Sequence, residues 1–238
     1  QWNVTLQREL PWRIAAEVSY VGTAGHALQT NSESGLSNNQ LDPQYLALGS
    51  ALNQTVPNPF FGIVNSGILV SPTISRAQSP RPFPQFTDVI PLQNTGATSL
   101  YQALQISVNR RMSKGLAIAG SYVWSKAEEE GETHQNSYDI PASRSVASYD
   151  IPHCLVLSAL YELPFGRGRA FGTTAPAWLD AIAGGWQING VVMIQSGTPL
   201  TISASNTAGL FNPVTRANWN GEDPRLDGPA EERLQRWF

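Results

Sequence analysis

The sequence predicts an all-β chain: an antiparallel transmembrane β-barrel, present as an incomplete, open segment of about seven or eight strands with long extracellular loops. Three observations predict it. Apolar residues recur at every second position in segments close to the roughly 9 to 11 residues that cross a bilayer as a tilted strand. Charged residues are only 14% of the 238, against about 25% in globular proteins. Short turns alternate with long connections, as they do between the two ends of an outer-membrane barrel.

The segments follow in chain order. Trp2, Val4, Leu6 and Leu10 line one side of the first, and Glu9 to Pro11 join it to the second. There Trp12, Ile14, Ala16, Val18 and Tyr20 alternate with Arg13, Ala15, Glu17, Ser19 and Val21. Trp12 to Tyr20 spans about 27 Å along a strand and about 20 Å of height at the usual tilt, close to an outer-membrane apolar band. A long connection, Thr23 to Thr98, precedes the third segment, in which Leu100, Leu104, Ile106 and Val108 alternate with Tyr101, Ala103, Gln105, Ser107 and Asn109. The tight turn Arg111 to Gly115 leads to Leu116, Ile118, Gly120, Tyr122 and Trp124, alternating with small residues. After a second long connection, Ala127 to Asp150, come Leu155, Leu157, Ala159, Tyr161 and Leu163 on one side of a fifth segment. Pro164 to Gly185 is long for the short-turn side, and Trp178 to Ile182 has the spacing of an amphipathic helical turn. Trp186, Ile188, Gly190, Val192 and Ile194 then alternate with Gln187, Asn189, Val191, Met193 and Gln195, and a third long connection follows Asn206.

Parity assigns the two faces. Trp12, Tyr20, Tyr122, Trp124, Tyr161 and Trp186 share the apolar face and are expected at the membrane interface, where an apolar ring with a hydrogen-bonding tip is well placed. Arg13, Glu17, Gln187 and Asn189 fall on the opposite, lumen-facing side. Lys126 lies on the apolar face but at a strand end, where its stem can snorkel.

Composition excludes several function classes. A net charge of -3 and a pI near 5.6 give no basic field for nucleic acid. One cysteine, Cys154, leaves no internal disulfide, and three scattered histidines, His26, His134 and His153, make a zinc site improbable. The chain has no apolar run of helix-spanning length. Among the carboxylates, Glu128, Glu129, Glu130, Glu132, Asp139 and Asp150 read as a solvated acidic loop, because the spacing of a calcium loop is absent. No cofactor, metal or catalytic constellation is expected, and the chain is read as a non-enzyme. The first long connection carries Val56-Pro57-Asn58-Pro59-Phe60-Phe61 and Arg81-Pro82-Phe83-Pro84-Gln85-Phe86, with a short helix expected over Tyr45 to Leu52. It reads as a binding surface ordered by proline and aromatic packing, with no ligand-binding residue singled out.

The order of these motifs resembles the barrel part of Oar-like, carboxypeptidase-regulatory-like TonB-dependent outer-membrane receptors. The residues that carry it are Trp2 with Leu6-Gln7-Arg8-Glu9-Leu10-Pro11, Tyr20-Val21-Gly22-Thr23-Ala24-Gly25-His26, and the two proline-rich clusters. Ser121 to Lys126, Asp150-Ile151-Pro152-His153, Tyr161 to Gly166, Gly185-Trp186-Gln187 and Gln195 to Pro199 continue it in the same order. The resemblance implies that 1–238 is a partial barrel domain of the bacterial outer membrane, without the N-terminal sandwich, the plug or the C-terminal closing strands. Phe238 is read as a break inside a loop.

It also implies the partners: outer-membrane lipid, the plug and remaining strands of the parent chain, the energy-coupling TonB complex, and an unknown ligand captured by the external loops. The barrel would form the plug-gated path across the membrane. Two other readings stand beside this one: a passive or adhesive surface barrel without energy coupling, and a soluble carbohydrate-binding β-sandwich.

Overall fold

The computed structural model describes residues 1–30, 36–92, 94–130, 134–205, 216–218, 220–222, 228–229 and 231. The strands, in chain order, are β1 (Trp2–Leu10), β2 (Ile14–Thr30), β3 (Thr55–Pro57), β4 (Thr73–Ser75), β5 (Asn94–Ser113), β6 (Leu116–Glu129), β7 (Ser145–Val146), β8 (His153–Glu162) and β9 (Gln187–Gln195). One α-helix, α1 (Ala177–Ala183), lies between β8 and β9. The main sheet runs β1-β2-β5-β6-β8-β9, entirely antiparallel, with the short β7 added to β6. Strands β3 and β4 pair separately inside the first long connection. Among the described residues β1 and β9 each have one partner strand, so the sheet is open.

Turn chemistry explains the short connections. Lys114 and Gly115 both have positive φ, 51° and 77°, and join Ser113 to Leu116. Two positive φ values match the right-handed twist of the strands they connect. Between β1 and β2 the chain turns through Pro11–Arg13, with Trp12 and Arg13 at φ 65° and 62°. The strand therefore begins at Ile14, and neither Trp12 nor Arg13 belongs to it, contrary to the alternation read from the sequence. Pro11 has no N–H for a ladder, and the turn consumes the next two residues. The β8–β9 connection is held by Phe165 against Phe171 (ring centroids 5.8 Å apart), an Arg169–Glu162 ion pair at 2.7 Å, and Asp180 accepting from the Arg167 N–H.

At the other end the strands outrun the expected boundaries. β2 continues through His26 to Thr30 and β5 starts at Asn94, so Thr23 to Thr30 is strand rather than loop. Register shifts beyond Gly25 mark a bulge, and Ala27 takes a positive φ of 53°. β6 likewise extends to Glu129. Beyond β9, Ser203 makes one isolated bridge, to Arg216. The tail after Asn206 lies almost wholly outside the described residues, as do Glu132 and Phe238.

The large buried side chains are not in the main sheet. Leu36, Leu41, Leu52, Leu69 and Ile74 all belong to the first long connection, whereas the sheet's buried residues are small ones such as Ser19, Ala97, Ala103 and Ala127. Val4 and Leu6 are 70% and 73% exposed. A soluble layer must bury its apolar face against a second layer. Among the described residues no other sheet faces this one, so the architecture is not a β-sandwich.

Gly22 stands directly opposite Trp2, and a Cβ there would come within 2.1 Å of the indole. A cross-strand aromatic covering a glycine stabilises a pair by about 0.2 to 1 kcal/mol. Gly22→Ala should displace Trp2 and cost about 1 kcal/mol, and adding Trp2→Ala should cost almost nothing further. Urea unfolding of the two single variants and the double variant in lipid vesicles reads this coupling.

Candidate functional site

Register determines what each face of the sheet presents, because directly opposed residues of an antiparallel pair lie on the same side. One row across the sheet is Leu6, Val18, Ile106, Tyr122, Leu155 and Ile194. The next row toward the long connections is Val4, Tyr20, Leu104, Trp124 and His153. The opposite face carries Thr5, Ser19, Gln105, Val123 and Cys154 in one row. Glu17, Ser107 and Ser121 make another. All five pairings keep the apolar set in phase.

The polar limits of the apolar face run obliquely across these rows. Near the short turns the first cation is Arg8 in β1, whereas in β5 it is Arg110, one row farther down. In β8 and β9 the face stays uncharged another row down, to Tyr161 and Ile188. Near the long connections the same descent occurs. β2 is apolar to Ala24, β5 and β6 turn polar at the paired Gln102 and Lys126, and β8 does so one row lower, at His153. The displacement is about one residue per strand. A rise of about 3.3 Å against an interstrand spacing of about 4.8 Å corresponds to a tilt of about 35°, within the range of transmembrane barrel strands. A flat slab of apolar surroundings cutting tilted strands produces this slant; a facing soluble layer does not require it.

The singled-out residues distribute as follows. Tyr20, Tyr122, Trp124 and Tyr161 are on the apolar face. Trp186 immediately precedes β9 at the parity of Ile188, its indole N–H donating to the Ile182 carbonyl of α1 at 2.8 Å. Trp12 is in the β1–β2 turn and 79% exposed. Glu17, Gln187 and Asn189 are on the opposite face. Arg13 is in the turn, and Glu17 accepts from the Ser19 hydroxyl at 3.4 Å. That face is not uniformly polar, since Val156, Val191 and Met193 also lie on it.

Sequence reasoning missed one cluster. His153 stacks between Tyr122 and Trp124, with ring centroids at 6.2 and 6.4 Å, and its Nδ1 is 2.8 Å from the Tyr122 hydroxyl. The usable signal is that Tyr122 and Trp124 stand two apart on one strand face while His153 opens the next long alternating segment.

The first and second long connections form a cap at the far end. Leu41, Leu52 and Ala77 make its small core, with Tyr45 against it. Pro43–Asn53 is a 3-10 stretch broken at Gly49 rather than an α-helix, started by Asp42 accepting from the Gln44 N–H. Buried amide side chains do most of the ordering. Asn39 accepts from Phe83 N–H and donates to Phe86 C=O, both at 2.8 Å. Asn58 donates to Leu69 and Ser71 carbonyls at 2.7 Å, and Gln78 to those of Pro84 and Phe86. Gln40 joins the two connections, donating to Asn136 Oδ1 at 2.7 Å and accepting from the Ser137 N–H. The aromatics of the two proline clusters contribute little to this order, since Phe61, Phe83 and Phe86 are exposed. Arg81 is buried, which pulls its guanidinium down to about 10 against the opposing pull of Asp88, and it donates to the Thr87 carbonyl.

The acidic residues have separate partners. Glu128 pairs with Lys126 at 2.5 Å and Arg144 at 3.3 Å, Glu129 accepts from the Tyr149 hydroxyl, Glu130 from Thr98, and Asp150 from the Ala127 N–H. Glu128 and Glu129 are successive strand residues and point to opposite faces.

His134 is fully buried in the cap, with neither ring nitrogen hydrogen-bonded. Burial, followed by the charge of Arg216, holds its pKa below the usual histidine value, against a smaller opposing effect of Glu130. The unfolded chain then binds more protons below about pH 6.5. Cap stability should fall as pH drops through that value and be pH-insensitive in this respect above it. Protection factors of the 134–152 amides, normalised to the intrinsic exchange rate at each pH, should fall between pH 7.5 and 5.5, and His134→Leu should remove most of that dependence.

A family model described as outer membrane beta barrel domain matches residues 1–238. No curated protein and no solved structure matches the chain.

Proposed function

The chain belongs to the outer membrane beta barrel domain family, and from the order of its motifs we propose that it is part of the barrel wall of a TonB-dependent receptor in a bacterial outer membrane. Its apolar face meets lipid, its Glu17, Gln187 and Asn189 face meets the lumen, and its cap captures a ligand on the outer side. Tyr20 and Trp124 sit at the outer interface, Tyr122 one row nearer the middle of the apolar face, and Tyr161 and Trp186 at the inner interface. No catalytic step belongs to this reading.

The observation that carries the ligand-capture role is the cap itself. Two long connections are locked together through Gln40 and Asn136 while Phe61, Phe83 and Phe86 remain exposed. Ordering a loop before the ligand arrives removes a cost that binding would otherwise bear. The energy-coupled finer role is supported by the order of the motifs, from the Leu6 to Pro11 segment through Gln195 to Pro199. Under it, the free edges of β1 and β9 pair with further strands of the parent chain, because an unpaired N–H or C=O in lipid costs several kcal/mol.

Two experiments test these levels separately. Ile106, mid-row on the apolar face, and Ser107, on the opposite face, are adjacent in β5. Ile106→Arg should destabilise the vesicle-inserted protein by about 2 to 4 kcal/mol, and Ser107→Arg by less than about 1, as read by urea unfolding; equal effects would overturn the face assignment. For energy coupling, the full parent protein in detergent should capture the periplasmic domain of TonB saturably. Absence of capture would leave a passive or adhesive barrel.

A further inference from the structure

Beyond the apolar band, where β6 and β7 end, a cavity of about 330 Å³ lies between the second long connection and the segment that follows β9. Its volume is at the lower end of small-molecule sites, which run from about 300 to 1,000 Å³. Glu129 and Ser145, directly paired across β6–β7, form one wall. Glu129 has the parity of Val123 in the same strand, so that wall belongs to the lumen-facing side of the sheet. It stands five residues beyond Trp124, about 13 Å above the aromatic row for strands inclined at about 35°. A ligand captured by the cap passes this point before it reaches the lumen.

Two charged side chains line the cavity among the described residues, the Glu129 carboxylate and the Arg216 guanidinium. The Tyr149 hydroxyl donates to Glu129 at 3.2 Å. Arg216 donates from Nη2 to the Ser143 carbonyl at 3.3 Å and from its backbone N–H to Gln135 Oε1 at 3.2 Å. Ser143 and the Ser145 that faces Glu129 are two residues apart, at most about 7 Å, so anion and cation flank one short stretch of chain. The neighbouring carboxylates are engaged elsewhere: Glu128 with Lys126 and Arg144, Glu130 with Thr98, and Asp150 with the Ala127 N–H. The rest of the wall is hydroxyl and aliphatic, with Ser145 and Thr201 beside Val146, Leu200 and Ile202. One charge of each sign suits neither a net anion nor a net cation. It suits a small group that carries an ammonium and an oxygen acceptor close together, joined to an apolar body.

We propose that this cavity binds an α-ammonium group with its adjoining carboxylate or carbonyl and an apolar side chain, as found in a free apolar amino acid or in the N-terminal residue of a peptide. The ammonium donates to Glu129, the carboxylate or carbonyl oxygen accepts from Arg216, and the side chain lies against Val146, Leu200 and Ile202. Ser145 and Thr201 can each donate or accept, and so serve the polar atoms that remain. The inference rests on the ligand-capture reading of the cap and names the chemistry that the cap selects. Both polar contacts are charge-assisted on the protein side, which makes them the stronger class of hydrogen bond.

The test is isothermal titration calorimetry of the full parent protein in detergent with four probes: leucine, leucinamide, N-acetylleucine and glucose. Leucine should bind at one per chain and at least about tenfold more tightly than N-acetylleucine, which lacks the ammonium, as loss of a charge-assisted contact implies. Leucinamide weaker than leucine identifies the free amino acid as the source, and leucinamide equal to leucine identifies a peptide N-terminus. Glu129→Gln should abolish the preference for leucine over N-acetylleucine, while Glu17→Gln, which removes a carboxylate from the same face nearer the turns, should leave it intact. Equal binding of leucine and N-acetylleucine, an unchanged preference in Glu129→Gln, or binding of glucose without leucine would overturn the site. Phe61→Cys reads the cap independently, through labelling of intact cells by a membrane-impermeant maleimide above the level of the unsubstituted protein. A labelled cap without leucine binding removes the site alone, and an unlabelled cap removes the ligand-capture reading with it.

Discussion

Phase agreement among five antiparallel registers is the constraint on which the rest of this structure depends. Each pairing could shift by one residue only by carrying a whole strand's side chains to the other face. Shifting β5 alone would set Ser107 and Gln105 among Val18, Tyr20 and Trp124, so a single slip would break the apolar surface across its middle. The compact Pro11–Arg13 turn carries the β1–β2 register unbroken from the Leu10–Ile14 pair. Elsewhere the register shifts near the strand ends: between Arg110 and Ser113 beside the Lys114–Gly115 turn of β5–β6, and beyond Gly25 toward the first long connection. The unbroken part of each ladder is thus the part that crosses the apolar band.

The cap is stabilised by a different means. Proline-rich segments lack backbone donors and cannot build ladders, so side-chain amides satisfy the loop carbonyls and N–H groups instead. Asn39, Gln40, Asn58 and Gln78 are all buried, and each hydrogen bond of this kind contributes about 1 kcal/mol, with a larger penalty when one partner is removed. The exposed pairs of Glu128 with Lys126 and Arg144 contribute less, since surface ion pairs are worth about 0 to 1 kcal/mol. Neutral amides therefore carry much of the loop order, with the buried Arg81 on the Thr87 carbonyl and Asp88 on the Ser37 hydroxyl beside them.

Period-2 alternation made the sheet legible in the sequence, because a tilted strand between lipid and lumen must present two chemistries in turn. Leu116 to Trp124 and Ile188 to Ile194 needed no further information. The strand limits were less legible. Pro11 looks like a turn residue, but nothing local says that Trp12 and Arg13 complete the turn. His26 follows a glycine-rich run that reads as loop, yet β2 continues through it, in a bulge between the Gly25–Ser99 and Leu28–Ala97 pairs. Cap residues were hidden for a related reason: Asn39 and Phe83 are linked by one hydrogen bond across 44 positions, and such a pairing has no periodic trace. The exposed phenylalanines of the proline clusters were noticed for their hydrophobicity, whereas the buried amides beside them carry the order.

The unusual length of β2 and β5 has an electrostatic consequence. The polar limit of the apolar face lies near the Gly22–Gln102 pair, and the ladder continues to Thr30 and Asn94. Eight further residues at about 3.3 Å each, inclined at about 35°, raise the hairpin tip by roughly 20 Å. At physiological ionic strength the Debye length is about 8 Å. The potential of a phosphate-rich membrane surface has therefore decayed to roughly a tenth at that height, so the chain leaves the sheet toward the cap beyond the reach of the bilayer's own charge.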